Sequence, residues 1–277
     1  MSAFQGRAGA VDLHSHLVPG VDDGARTVED VLEGVARMKE RGVGRIVTTP
    51  HLDGSLTLLA ERFDQRMSEM DTAFSRARAA VAEAFPDIGF RRANEVALDH
   101  PEPDLSDPRI QLGGHGWVLV EWPRLQVPPE SGRVLKRLCD QGNRLLLAHP
   151  ERYRLGAADM EKMESWREAG AHFQVNFGSL AGAYGPEARR RAGELLSRGW
   201  VDCLATDFHG RAALRLFIRA AREHFPEPAE EETPEAEVWS LLTRTNPGRI
   251  VDGVALAPVP PVRVGRTLWT RLAARFR

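Results

Sequence analysis

Short apolar runs alternate with longer amphipathic stretches along most of this 277-residue chain, and this alternation constrains the fold more than any other feature. The predicted strands are residues 9–13, 44–48, 88–92, 117–120, 144–148, 172–175 and 202–205. The predicted helices are residues 27–41, 56–84, 129–141, 158–169, 186–198 and 211–224. Strand followed by helix in regular order predicts a mostly parallel sheet. So many βα units suit a barrel better than a small open sheet.

The composition argues against several functional classes. A formal net charge of −2 argues against bulk nucleic-acid binding, which usually needs a basic field. The two cysteines, Cys139 and Cys203, offer no disulfide framework. No apolar run approaches the ~18 residues that a membrane span needs, and the first ten residues do not resemble a secretory signal. We therefore expect a cytoplasmic, reducing setting.

Nearly every predicted strand is followed by a histidine or a carboxylate. His14 and His16 follow the first strand, and alternate side chains of an extended segment point the same way. Those after the later strands are His51, Glu95, Glu121, His149, Asp207 and His209. In parallel barrels these strand ends meet at one rim, where active sites are assembled. Imidazole and carboxylate are the usual ligands of divalent metals, so the joint placement predicts a metal site.

Each of these residues also has an ordinary structural explanation when it is taken alone. His149 before a proline fits a packed or capping histidine, and Asp207 fits a helix cap. Glu121 after four apolar residues could pair with an arginine. Local hydrogen bonds do not balance so many imidazoles and carboxylates at one rim, and this favours metal.

The motifs, in this order, resemble those of the PHP (polymerase and histidinol phosphatase) superfamily. The branch that they resemble most is the bacterial metal-dependent protein-tyrosine phosphatases of capsule and exopolysaccharide synthesis. The matching segments are DLHSHLVPGVDDG, IVTTPH, ANEVALD, LVEWP, LLLAHPERY, QVNFGSLAGAYG, LATDFHG and NPGRIVDG. The resemblance implies an α/β fold, a distorted (βα)₇ TIM-like barrel of PHP type in a single domain. It also implies three divalent metals, which would be manganese, iron or zinc.

Carried over by position, the resemblance also implies the roles of individual residues. The expected ligands are His14, His16, His51, Glu95, His149, Asp207 and His209, with Glu95 bridging two metals. Asp23 and Glu121 are expected as further ligands or as groups that orient them. Arg152, in HPERY, corresponds to the position that grips the substrate phosphate, and His149 or His209 would relay a proton.

The activity that the resemblance implies is hydrolysis of protein phosphotyrosine by metal-activated hydroxide. Neither Cys139 nor Cys203 has an arginine six residues later, so a cysteine-dependent tyrosine phosphatase mechanism is not expected. The expected substrate is a bacterial tyrosine kinase, phosphorylated in a flexible tail. The alternatives are a small-molecule phosphatase of the histidinol-phosphate type and a catalytically retired, metal-free binding module.

The predicted domain organisation is a tail at residues 1–10, the metallophosphatase domain at residues 11–256 and a basic tail at residues 257–277. The last fifteen residues, RVGRTLWTRLAARFR, carry five arginines, with Leu268, Trp269, Leu272 and Phe276 at near-helical spacing. Such a segment could lie on an anionic membrane or on a partner protein, or could pack on its own barrel.

Overall fold

The fold was analysed in a computed structural model that describes residues 9–156, 158–211, 213–225 and 234–264. Within those ranges every strand pairing is parallel. The strands are β1 (Ala10–Asp12), β2 (Val43–Thr48), β3 (His51–Asp53), β4 (Gly89–Arg92), β5 (Glu95–Ala97), β6 (Trp117–Glu121), β7 (Arg144–Ala148), β8 (His172–Asn176) and β9 (Cys203–Ala205). Their order is β1-β2-β4 in one sheet and β3-β5-β6-β7-β8-β9 in the other.

The two sheets are continuous with each other, because two long strands are each interrupted near the midpoint and their two halves are assigned to different sheets. β2 leads into β3 across Thr49 and Pro50, and β4 leads into β5 across Ala93 and Asn94. Proline has no N–H for the ladder. The break is held by Asn94, whose Nδ2 donates to the Pro50 carbonyl at 2.9 Å. The upper segments β3 and β5 therefore start at His51 and Glu95.

The first and last strands approach each other beyond their regular segments. The His16 N–H donates to the Phe208 carbonyl and the Asp207 N–H donates to the His14 carbonyl, both at 2.8 Å. Ser15 and Phe208 form an isolated parallel bridge. The parallel α/β barrel-type architecture predicted from the alternation is confirmed.

Helices connect the strands and cover the outside of the sheet. They are α1 (Val28–Lys39), α2 (Ala60–Ala84), α3 (Ser131–Asp140), α4 (Asp159–Glu168), α5 (Phe177–Leu180), α6 (Pro186–Ser197), α7 (Ile218–Arg222), α8 (Pro234–Ser240) and α9 (Asn246–Val251). Short 3₁₀ segments lie at Gly54–Leu58, Pro123–Leu125 and Pro150–Arg152, and a π-helical turn at Leu241–Thr245 joins α8 to α9. No helix in the described ranges is long and apolar enough to cross a membrane.

Sequence chemistry explains where α1 begins and why α7 is short. Thr27 caps α1 in a reciprocal capping box with Asp30, as the predicted start at Thr27 requires. The helix predicted over 211–224 is wrong for most of its length, because among the described residues of that span only Ile218–Arg222 is helical. Phe217 adopts a left-handed conformation with φ of 55°, which prevents a helix from running through it.

Alternation along the strands divides the core into two layers. One layer fills the inside of the barrel and includes Val11, Val47, Leu119, Leu146 and Cys203. The intervening strand residues pack outward against the helices in a second, larger cluster. A strand buried on both faces is expected in a parallel sheet. The inner apolar layer forms the floor beneath the strand ends.

The C-terminal part of the chain falls only partly within the described ranges. The predicted basic tail at 257–277 is described up to residue 264, and the remainder of RVGRTLWTRLAARFR lies outside, as do residues 1–8 and 226–233. Val262 is buried, and its N–H donates to the Leu196 carbonyl of α6 at 2.9 Å. The boundaries at residues 10 and 257 stay predictions.

Candidate metal centre

The strand ends bring together all nine residues that were predicted as metal ligands. Four overlapping groups of them lie within the described residues, each with its ligand atoms within 4.8 Å of one another. The groups are His14, Glu95 and His149; His14, His16 and Asp207; His51, Glu95 and Glu121; and His16, Asp23, His51 and His209. Their role as ligands stays a prediction, but their convergence comes from chain segments that are far apart in sequence.

Glu95 lies at the middle of this cluster and is fully buried. Its Oε2 is 3.1 Å from His14 Nε2, 3.1 Å from His51 Nδ1 and 3.5 Å from His16 Nε2. Despite these neighbours, Oε2 makes no hydrogen bond of normal geometry. A buried carboxylate oxygen without such a bond is costly unless a cation neutralises it. Three imidazole nitrogens around one carboxylate oxygen therefore fit a metal-binding site.

The charges in the cluster also favour bound cations. Burial opposes protonation of the imidazoles, yet Glu95 and Asp207 raise the pKa of His14 to about 10. Glu121 and Glu95 likewise raise the pKa of His51 to about 11 against the effect of burial. In return, although burial opposes it, His14 holds the pKa of Glu95 and of Asp207 below their usual range. The ionised carboxylates thus demand positive charge, which divalent metals would supply in place of protons.

Two polar residues that sequence reasoning did not select orient the first histidines. Gln174 Oε1 lies 2.8 Å from His14 Nδ1, and Asp22 Oδ2 lies 2.8 Å from His16 Nδ1. In both histidines Nδ1 is thereby engaged, which leaves Nε2 facing the cluster. A signal for Gln174 was present in the sequence. In HFQVN, Gln174 and Asn176 are polar residues at alternate positions of an otherwise apolar strand.

Asp207 is held by one group from β8 and one from the 3₁₀ segment that follows β7. Asn176 Nδ2 donates to Asp207 Oδ2 at 2.8 Å, and Arg152 Nη1 donates to the same oxygen at 2.5 Å. The other oxygen, Oδ1, lies 3.4 Å from His14 Nε2 and 3.5 Å from His16 Nε2. One carboxylate therefore links the imidazole cluster to the Arg152 guanidinium.

Two of the candidate ligands have left-handed backbone conformations. His149 has φ of 36° and Asp207 has φ of 50°. Such values are uncommon outside glycine and cost free energy, and they cluster at functional sites. The turn at His149 directs the chain away from β7 into the 3₁₀ segment that carries Arg152.

Asp23 and His209 complete the outer side of the cluster. Asp23 Oδ1 lies 3.3 Å from His209 Nε2 and 3.5 Å from His51 Nε2. The Asp23 side chain is 63% exposed, whereas Glu95 and Asp207 are buried. Burial and the neighbouring His16 lower the pKa of His209, so its imidazole is neutral and free to bind a metal near pH 7.

The two thiols lie away from this chemistry. Cys203 is buried in the inner apolar layer, and Cys139 is half-buried in α3. Burial raises the pKa of both thiols above the usual value, which disfavours the thiolate. Neither cysteine is therefore placed to act as a nucleophile.

Comparisons with known proteins agree with this geometry. The family model described as "Capsular polysaccharide synthesis, CpsB/CapC" matches residues 10–251. The tyrosine-protein phosphatase YwqE of Bacillus subtilis is 25% identical over 207 residues, which cover 72% of this chain and 77% of YwqE. The tyrosine-protein phosphatase CpsB of Streptococcus pneumoniae is 24% identical over 213 residues, covering 72% of this chain and 82% of CpsB.

A solved structure shares the fold. It comes from a study of YwqE from B. subtilis and CpsB from S. pneumoniae, described as unique metal-dependent tyrosine phosphatases. It superposes with a TM-score of 0.71 and 20% sequence identity, and covers 92% of this chain and 100% of the other. The shared fold therefore extends over most of this chain.

Proposed function

Since this chain belongs to the CpsB/CapC family of capsular polysaccharide synthesis, we propose that it is a metal-dependent phosphatase that hydrolyses phosphotyrosine on proteins. Relatives that match most of its length are named tyrosine-protein phosphatases. The observation that carries the proposal is the environment of Glu95, whose buried Oε2 is surrounded by three imidazole nitrogens beside an arginine that reaches Asp207.

The residues of the cluster would hold the metals in overlapping groups. We propose three divalent metals, with Glu95 shared by two of them, and manganese, iron or zinc as the candidates. When bound, such metals supply Lewis-acid stabilisation of the phosphoryl oxygens and a water nucleophile that is deprotonated near neutral pH. Gln174 and Asp22 would keep Nε2 of His14 and His16 directed at the metals.

Arg152 is the proposed phosphate-binding residue. Its side chain is 22% exposed at the edge of the cluster, so it reaches both Asp207 and incoming substrate. One guanidinium nitrogen is engaged by Asp207, and the planar fork has further N–H groups to donate to a phosphate oxygen. Charge that develops on the phosphoryl oxygens in the transition state would be stabilised by these donors.

His149 and His209 are the two proposed proton carriers. The His209 side chain is 21% exposed and that of His149 is 4% exposed, so His209 is the more accessible to a leaving group. The tyrosine hydroxyl has a pKa of about 10, so the phenolate leaves with little assistance. Proton donation is therefore expected to contribute less than charge stabilisation by Arg152.

The two alternative functions are less well supported. A metal-free binding module would have no need for nine converging candidate ligands around a buried carboxylate. A small-molecule phosphatase of the histidinol-phosphate type would fit the same ligands, but the relatives that match are named for tyrosine phosphatase activity. The proposal for the physiological substrate is a bacterial tyrosine kinase phosphorylated in a flexible tail.

The role of the basic tail and the cellular location remain sequence-based proposals. Five arginines within residues 263–277 would suit contact with an anionic membrane or a partner protein near such a kinase. The cytoplasmic setting is proposed because the two cysteines are free.

Phosphate release tests the proposed function directly. A phosphotyrosine peptide and histidinol phosphate are each incubated with manganese-loaded protein, with chelator-treated protein and with the Arg152→Ala variant. Turnover of the peptide should require metal and should fall by about 10²–10³-fold in Arg152→Ala. Turnover of histidinol phosphate alone would support the small-molecule alternative. Failure to hydrolyse either ester, in protein shown to contain its metals, would contradict the proposal.

A further inference from the structure

Tyr184 is an aromatic residue at the edge of the site that lies in the matching segment QVNFGSLAGAYG but has been given no role so far and belongs to none of the ligand groups. Its ring lies against the guanidinium of Arg152, with Cζ 4.1 Å from the ring centroid. A cation over an aromatic face at this distance is attracted by the ring quadrupole. Arg152 is thus held on one side by Asp207 and on the other by Tyr184.

The backbone around Tyr184 is built to bring the ring into this position. Gly182 and Gly185 have φ of 79° and 92°, and the Ala183 N–H donates to the Gly178 carbonyl at 2.8 Å. A Cβ at Gly178 would lie 2.7 Å from Tyr184 Cε2, so glycine is needed there for the ring to pack. These constraints fix the ring although Tyr184 is 37% exposed.

The position of the ring matters because of what Arg152 needs. An arginine side chain has several rotatable bonds, and an unsupported one loses conformational entropy when it binds an anion. The ion pair with Asp207 fixes one nitrogen but leaves the plane of the guanidinium free to rotate about that contact. A ring whose face lies 4.1 Å from Cζ restricts this rotation and keeps the remaining donors in one orientation.

We propose that Tyr184 is a positioning residue that acts through Arg152 to set the affinity of the site for the phosphate group. This rests on the proposed role of Arg152 in phosphate binding. It requires the aromatic ring but not the hydroxyl, since the contact with Arg152 is made by the ring face. The effect is confined to the phosphate and does not depend on which ester is hydrolysed.

Binding of inorganic phosphate to the manganese-loaded full-length chain tests the proposal by calorimetry, without any ester substrate. Tyr184→Leu should raise the dissociation constant for phosphate by about tenfold. Tyr184→Gln serves as a second non-aromatic variant and should give a similar loss. Tyr184→Phe keeps the ring and should stay within about threefold of the unmodified protein. Metal content is measured in every variant, so that a change in phosphate affinity is not confused with loss of metal.

A double-mutant cycle shows whether Tyr184 acts through Arg152. In an Arg152→Ala background, Tyr184→Leu should cause no further loss of phosphate affinity. An equal loss in both backgrounds would overturn the proposal, because Tyr184 would then act independently. Equal losses in Tyr184→Phe and Tyr184→Leu would also overturn it, since the hydroxyl would then be the active group. No change in phosphate affinity in Arg152→Ala would overturn it as well.

Steady-state kinetics with a phosphotyrosine peptide separate this inference from the proposed function. Chelator-sensitive turnover by the unmodified protein supports the function, whatever the Tyr184 variants do. If phosphate binding follows the predicted pattern while no peptide is hydrolysed, the function fails and the positioning role of Tyr184 stands. If the peptide is hydrolysed and Tyr184→Leu has unmodified phosphate affinity, the function stands and the positioning role fails.

Discussion

Strands β6 and β8 lie two positions apart in the same sheet, yet they contribute opposite chemistry to the inside of the barrel. From bottom to top, β6 presents Trp117, Leu119 and Glu121, and the first two belong to the inner apolar layer. The corresponding alternate residues of β8, from bottom to top, are all polar: His172, Gln174 and Asn176.

The difference shows two ways in which a strand can support a metal centre. β6 builds the apolar floor and ends in one candidate ligand, Glu121. β8 contributes no candidate ligand, but Gln174 holds His14 and Asn176 holds Asp207. Mutations in β6 below its last residue should therefore reduce stability, whereas mutations in the upper part of β8 should reduce metal affinity.

The largest expected effect is on β6. Leu119→Ala leaves a cavity in the inner layer and should lower the free energy of unfolding by about 2–5 kcal/mol. The measurement is urea unfolding of the metal-free protein. Leu58→Ala is a matched control, because Leu58 is 48% exposed and its truncation should change stability by no more than about 0.5 kcal/mol. Similar losses in the two variants would mean that Leu119 does not pack as described.

The next effect should come from the middle of β8. Gln174→Met keeps the volume but removes the partner of His14 Nδ1, and should weaken metal affinity by about 10–100-fold. Competition with a chelator of known affinity measures this change in folded protein. Metal affinity within threefold of the unmodified protein would contradict the orienting role of Gln174. It would also remove the proposed difference between β6 and β8 in their effect on metal affinity.

The bottom of β8 should behave differently from its upper part. His172 lies against Trp117 and pairs with Asp202 through Nδ1 at 3.0 Å, away from the candidate ligands. His172→Phe should lower the free energy of unfolding by about 1 kcal/mol through the lost hydrogen bond, with metal affinity unchanged. Unfolding and chelator-competition experiments on both His172→Phe and Gln174→Met would show which positions of β8 affect metal affinity and which affect only stability. A loss of metal affinity in His172→Phe would extend that support to the whole strand.

Alkylation of Cys203 is expected to have no effect on phosphatase turnover. Burial raises the thiol pKa of Cys203, an inner-layer residue of β9, so little thiolate is present near neutral pH. Iodoacetamide should therefore leave phosphatase turnover unchanged in the native protein and should label Cys203 only after denaturation. Inactivation that parallels Cys203 alkylation would contradict this expectation, because the reaction would then depend on a thiol of the inner layer rather than on the residues at the strand ends.

The sequence allowed most of the strands and the candidate ligands to be predicted, because both depend on local patterns. Apolar runs locate the strands, and histidines or carboxylates directly after them fall at one rim of a parallel barrel. The three-residue strands β3 and β5 were not predicted. They are continuations beyond a break at Pro50 and Ala93, and so short a segment carries no periodicity of its own.

Residues that act on other residues were harder to find. Gln174 and His14 are 160 positions apart, and no local pattern connects them. Tyr184 lies in the matching segment QVNFGSLAGAYG, but its contact with Arg152 is visible only once the turn between Gly182 and Gly185 places the ring there. Because such roles exist only in the folded barrel, contacts across the sheet were needed to identify them.

The left-handed backbone at His149 and Asp207 has a consequence for how this protein can change over generations. At either position glycine would relieve about 1 kcal/mol of conformational strain, because it has no Cβ to oppose a positive φ. Selection of variants for heat resistance alone would therefore enrich glycine there and discard two candidate ligands. Histidine and aspartate at these two positions therefore cost stability that glycine would restore.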